Sequence, residues 1–453
     1  MTRAALNRSD DAGLTLIEVM VAMFVFALIS IGVALSITSS LLLTTDTRSR
    51  EIAANLAAQE IDLDRSASNV FAVTDTSWTT VVNGTTFTIV RGTDWVSTNN
   101  STVACGAGGG TLQFKKVNIS VTWSGMRTAT AAVRADTLIA PNNRINDPTL
   151  GTIIVSVKSA SGAGTPGVVV SVAPSSVPNG AVPLTTVPAP TDADGCTYAL
   201  KVTPGNYDVS LSVPNYLDIH QKPAPVLSPV QVTAGTAQTA PFTYDNGALY
   251  SVQYASSTAT RPTNLDLSWV NPIGGTFVQT IGSATTSRLF PFSDGYAVLA
   301  GAYVAPIASH PNCLSVDPSA WTTPAVDGAV GRAVQAGQAA PPGQTITTLP
   351  IPMGVVTVNG LGNNTYLTAV AQAPVAGTGD PGCTTANTYT FPKLTSGSSM
   401  TVALPFGAWR FYTGNSSGST SSTVPTTSIA LVTRGVMTPA VQTITLDPRQ
   451  VGP

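Results

Sequence analysis

The side chains able to do chemistry are few and far apart. Two histidines, His220 and His310, sit in proline-flanked stretches, and either type of ring could act as a general base. Neither lies in a Gly-x-Ser-x-Gly elbow, a His-Glu-x-x-His helix or a Walker loop. The run Cys105 to Gly110 is glycine-rich, but no Lys-Ser/Thr follows and no helix opens, so it cradles no phosphate. Cys105, Cys196, Cys313 and Cys383 are widely spaced and form no Cys-x-x-Cys pair. That pattern does not suit a metal; in an exported chain it suits disulfides, with three complete pairings open. Asp192 and Asp194 precede Gly195 as in a calcium loop, but the later ligands and the distal glutamate are missing, so a β-turn is expected. No catalytic residue, metal site or cofactor is assigned, and the chain is not read as an enzyme. The remaining candidate is Glu18, a carboxylate at the head of an apolar run. In a membrane such a charge costs on the order of a few kcal/mol unless a cation meets it.

The element that must position Glu18 is a helix. From Val19 to Thr45 no side chain is charged. At ~1.5 Å per residue that stretch covers ~40 Å, more than the ~30 Å core of a bilayer. Beyond it, Ile52, Ala53, Leu56, Ala57 and Leu63 fall on roughly one face, with charges elsewhere. One helix from Leu14 to Arg65 is therefore expected, ~78 Å long, apolar all round in its first half and amphipathic in its second. Arg3 and Arg8 precede it and favour retention of that end in the cytoplasm.

Gly13-Leu14-Thr15-Leu16-Ile17-Glu18, followed by the apolar run, resembles the processing site of type IV prepilins and of type II secretion pseudopilins. The family most often carries phenylalanine where Leu14 stands and tolerates an aliphatic residue. The resemblance implies cleavage after Gly13 by a prepilin peptidase, N-methylation of Leu14, and a role for Glu18 in subunit assembly. Glu18 would face the amino terminus of a neighbouring subunit. At ~4 Å and an effective dielectric of ~20 that attraction is ~4 kcal/mol before desolvation. Two other readings stay open: a secretory signal peptide, which is usually shorter in its apolar part and ends in a small-residue site, and an uncut signal anchor.

After Trp78 the hydrophobic period becomes two. Thr79 to Arg91 reads as strand, Asn83-Gly84 turn, strand. Lys116 to Trp123 and Thr128 to Leu138 add strands around a Ser124-Gly125 turn, with Val117, Ile119, Val121 and Trp123 on one face. Helix plus sheet resembles the globular half of a PilV-like or pseudopilin subunit. Pro141 to Pro148 marks a boundary. Next, an Asp192-x-x-Gly195 turn and a Pro204-Gly205-Asn206-Tyr207 turn, each before a strand, resemble a carboxypeptidase regulatory-like, prealbumin-type β-sandwich. The stretch from Gly354 to Tyr412 repeats that order, with Pro405-Phe406-Gly407-Ala408-Trp409 where the Pro-Gly-x-Tyr turn stood. Between them lies a less regular β region holding Trp269, Phe290, Phe292 and Tyr296, aromatics expected in the core.

The expected fold class is α+β: a long N-terminal helix packed on a small antiparallel sheet, then two or three mainly-β sandwich domains. The divisions are a leader at 1–13, the helix at 14–65, a pilin-like β domain at 66–140, and β modules at 147–245, 246–345 and 346–453. Charged residues make up only 10% of the chain, with a net charge of −2, so no nucleic-acid surface is expected. The 43% of hydrophobic residues can build real cores, and 39 glycines with 33 prolines supply the turns of β structure. What the family resemblance implies is a minor pilin or pseudopilin whose partners are other such subunits. It would sit in the bacterial inner membrane through residues 14–43 with its body outside, then move to the surface or pilus. The competing reading is a membrane-anchored surface adhesin that enters no filament.

Overall fold

A computed structural model describes residues 15–449 apart from 68–69, 98–101, 104, 106–111, 127–130, 141–146, 178, 255–257, 283, 306–311, 332–336 and 386. The leader, Gly13, Leu14 and His310 therefore lie outside the described residues. The fold is one long N-terminal helix followed by mostly antiparallel β-sheets. The chain divides into two compact units, 1–147 and 148–453.

In the first unit the helix α1 runs unbroken from Leu16 to Ser66. It contains no proline and one glycine, Gly32, so nothing in its interior kinks it. The hydroxyls of Thr38, Thr44 and Thr47 donate to carbonyls four residues back at 2.8–2.9 Å. Those polar groups are thereby satisfied inside the helix, which lets it stay apolar on its outside. Its buried residues begin only at Ala53 and continue with Ala57, Ile61 and Asp64, the four-four-three spacing of one helical face.

That face packs on the sheet β1 (Thr76–Val82), β2 (Thr85–Ser97), β3 (Thr102–Val103), β4 (Leu112–Trp123) and β5 (Val133–Ile139), ordered β1-β2-β4-β5 with β3 on β2. Asn83 and Gly84 join β1 to β2 with φ of 51° and 79°. Positive φ at both central residues is what a tight hairpin turn needs and what Asn-Gly tolerates. Phe87 and Ile89 from β2 and Val117, Ile119 and Val121 from β4 are almost fully buried. Trp123, on the same alternation, closes the end of that face. The last strand starts at Val133 instead of Thr128; residues 131–132 are irregular and 128–130 are outside the described set.

In the second unit, two sheets enclose the first core. One has the strand order Tyr216–Asp218, Ala237–Asn246, Gly151–Lys158, Cys196–Val202; the other is Val226–Val232, Gly205–Leu211, Val170–Pro174. Ile153, Val155, Val157, Tyr207, Val209 and Tyr244 fill the space between them. Asp192 Oδ1 accepts from the backbone N–H groups of Asp194 and Cys196, and Gly195 has φ 76°, so the Asp-x-x-Gly stretch is a side-chain-braced turn. A Cβ at Gly195 would lie 2.0 Å from the Val157 carbonyl oxygen. Tyr207 donates to the Thr203 carbonyl at 2.9 Å, anchoring the corner before its strand.

A second, larger core lies between the remaining sheets and holds Tyr250, Trp269, Tyr296, Trp321, Phe391 and Trp409 among others. Trp269, Phe290, Phe292 and Tyr296 are all in this core. Strand Thr345–Ile351 runs parallel to Ala248–Tyr254 and lies across residue 345, where the sequence reading placed a boundary. Within the candidate repeat, Gly354–Asn359 pairs with Ser399–Leu404, and Tyr366–Ala371 with Gly407–Gly414, all antiparallel. Trp409 Nε1 donates to the Pro405 carbonyl at 2.8 Å, the same four-residue reach that Tyr207 makes. The final strand is Thr443–Leu446, entered through a short 3-10 turn at Pro439–Val441.

Candidate assembly site at the head of the helix

Glu18 stands in the first turn of α1, and Thr15 caps that turn from an extended conformation, φ −70° and ψ 148°. The Glu18 N–H donates to Thr15 Oγ1 at 3.4 Å. In return, Glu18 Oε2 accepts from the Thr15 N–H and from the Thr15 hydroxyl, each at 3.0 Å. This is a capping box, in which two backbone donors that the helix leaves unpaired are satisfied reciprocally. The signal was printed in the sequence as Thr-x-x-Glu before an apolar run, and the reading of Glu18 as a contact for another subunit passed over it. The carboxylate is thus held within its own chain by a threonine, and it remains on the outside of the helix.

Around it, no side chain from Leu16 to Leu43 is buried. Leu16 is 79% exposed and Phe26 73%. Monomeric proteins rarely expose apolar patches beyond a few hundred Å², so a helix apolar on every side needs a non-aqueous surrounding. The stretch is long and apolar enough to cross a membrane.

The packed half of α1 carries a different arrangement. Asp64, at 3% exposure, receives Arg91 Nη1 on Oδ1 at 2.6 Å, while Arg91 Nε donates to the Thr74 carbonyl at 2.8 Å. Burial pushes the Asp64 carboxyl above the usual carboxylate range, against the pull of Arg91 and Lys115. Glu60, one turn earlier, is also pushed up, first by burial and then by the Asp64 charge. This ion pair ties the last turn of the helix to β2.

Of the cysteines, Cys313 and Cys383 are joined in a disulfide that closes 70 residues. Cys105 and Cys196 are not free thiols either. His220 lies in a loop where its N–H and that of Lys222 both donate to Asp218 Oδ1, at 2.9 and 2.7 Å. Among the described residues no group of three or more His, Cys, Asp or Glu is placed to hold a metal ion.

Residues 8–42 match the family profile of the prokaryotic N-terminal methylation motif. The chain thus carries a prepilin-type signal, and the signal coincides with the capped, exposed head of α1. No curated protein sequence is significantly similar to the chain. Among solved structures, the Bacillus anthracis TIE protein is similar at 11% identity and a TM-score of 0.18, covering 73% of this chain and 63% of that one. The Streptococcal ancillary pilin matches at 12% identity and TM-score 0.19, over 52% of this chain and 75% of its own. BcpA, the major pilin subunit of Bacillus cereus, matches at 9% identity and TM-score 0.19, over 66% and 95%. These likenesses assign no residue of this chain a role.

Proposed function

We propose that this chain is a minor pilin or pseudopilin-like structural subunit without enzymatic activity. A prepilin peptidase cuts it after Gly13, and the new amino terminus at Leu14 is methylated. Glu18 then receives the amino terminus of a neighbouring subunit as helices stack. The observation that carries the reading is the match of the methylation motif to a helix head whose carboxylate and apolar flanks are all outward-facing. Before assembly the helix anchors the chain in the inner membrane, and the β units lie outside, displayed for assembly or adhesion. The size of the second unit suits a subunit present in few copies.

Mass spectrometry of the mature chain tests this. It should begin at a methylated Leu14. A chain that begins at Met1, or after residue 30, sinks the prepilin reading.

A further inference from the structure

Where α1 leaves its uncharged stretch, a cleft of about 300 Å³ opens between the helix and the ends of β2 and β4. Leu42, Thr45, Asp46 and Ser49 line it from the helix, and Trp123 and Ser124 from the sheet side. Asp46 is the first charge after Val19–Thr45. It is half-buried, its Oδ1 is closed to solvent without a hydrogen-bond donor, and it forms no salt bridge among the described residues. One enclosed oxygen of this half-buried carboxylate is thus unpaired among the described residues, and its charge has no partner there. The cleft offers little to an anion. It offers a cation a carboxylate, an indole and the Ser49 hydroxyl.

We propose that this cleft binds a primary ammonium group, and that its source is the ethanolamine headgroup of a membrane lipid. The proposal rests on the membrane-anchored reading above. Glu18 and Asp46 lie 28 residues apart, ~42 Å along the helix, and a bilayer measured across both headgroup layers is ~40–45 Å thick. The carboxylate therefore sits at headgroup depth. Trp123 is beside it at the level where indole rings collect in membrane proteins. A volume of about 300 Å³ is at the small end of ligand sites and accommodates a headgroup. The Asp46 carboxylate accepts a charge-assisted hydrogen bond from the ammonium. A quaternary choline headgroup cannot donate that bond.

The test is native mass spectrometry of the full chain in detergent, titrated in parallel with phosphatidylethanolamine and phosphatidylcholine of identical acyl chains. The wild type should retain the ethanolamine lipid about tenfold better, the scale of one charge-assisted hydrogen bond. Asp46→Asn should abolish the preference and Asp46→Glu should keep most of it. Circular dichroism confirms that both variants remain folded. Equal retention of the two lipids by the wild type overturns the proposal, and so does a preference that survives Asp46→Asn. Equal retention combined with poorer filament incorporation of Asp46→Asn would assign the cleft to a basic side chain of another subunit instead. Pelleting of the same chain with carbonate-washed membranes separates the two levels. A chain that fails to pellet overturns the membrane anchoring and the headgroup site with it, whereas a chain that pellets without lipid preference overturns the headgroup site alone.

Discussion

The two halves of α1 share one backbone and live in opposite environments. From Leu16 to Leu43 nothing is buried, although most side chains are apolar; from Ala53 to Asp64 four residues are sealed against the sheet. The packed half is held by its own chain, through small alanines that allow close approach and an ion pair at its end. Among the described residues, no side chain of the exposed half is buried against the rest of its own chain, which leaves the helix hydrogen bonds and the Thr15–Glu18 cap to hold it. Its environment must come from lipid or from other helices. A single uninterrupted helix can therefore be fixed at one end and available at the other.

Five substitutions probe that contrast. Arg91→Ala leaves the buried Asp64 without its cation and should lower the stability of the first unit by about 3 kcal/mol, read as a shift of the urea midpoint. No shift would mean that the ion pair does not fasten the helix. Ala57→Leu forces a larger side chain into the packed face and should cost ~1–3 kcal/mol, whereas the same change at Ala34, on the exposed half, should cost nearly nothing. Equal effects at both positions would erase the distinction drawn here.

Asp64→Asn tests the electrostatics of the packed half. The folded-state carboxyl titrates above its unfolded value because burial disfavours the charge. The folded state therefore binds the proton first, and this group adds stability as pH falls through the raised value toward the ordinary one. That contribution disappears as pH rises through the folded pKa. In urea melts at successive pH values, Asn at this position should remove the acid-side gain; an unchanged profile would refute it. Smallest on stability is Glu18→Ala. It should loosen the first turn of the helix and leave the β units untouched, while incorporation into filaments drops. Normal incorporation would end the intersubunit role assigned to Glu18.

Much of the first unit was legible because local rules decide it. The alternation from Val117 to Trp123 could serve only as a strand with one buried face, and Asn83-Gly84 supplies the two positive φ values a tight turn requires. The helix was legible from the absence of proline and from the switch to an amphipathic period at Ile52. Asp64 and Arg91 were not, since their pairing depends on how the helix lies over β2, and either residue alone resembles surface charge. The same holds for the parallel pairing of Ala237–Asn246 with Gly151–Lys158, which joins segments far apart in sequence. Pro341-Pro342-Gly343 reads locally as part of a linker, yet it delivers the chain into a strand of the second core. At the helix head the Thr15 cap followed from a spacing already in view, while Gly13 and Leu14 were marked by the motif and not by geometry.

The Cys313–Cys383 bond has a mechanical consequence whenever the chain is pulled between its N-terminal helix and a point beyond residue 383. Load entering at the N-terminal helix passes from Cys313 to Cys383 through sulfur, so the intervening 70-residue separation is spared the tension. About 240 Å of contour length, at ~3.4 Å per residue, is locked against extension. Force can peel strands on either side of that bond, but it cannot pay out the chain between, and the module lengthens far less before it yields than its residue count would suggest.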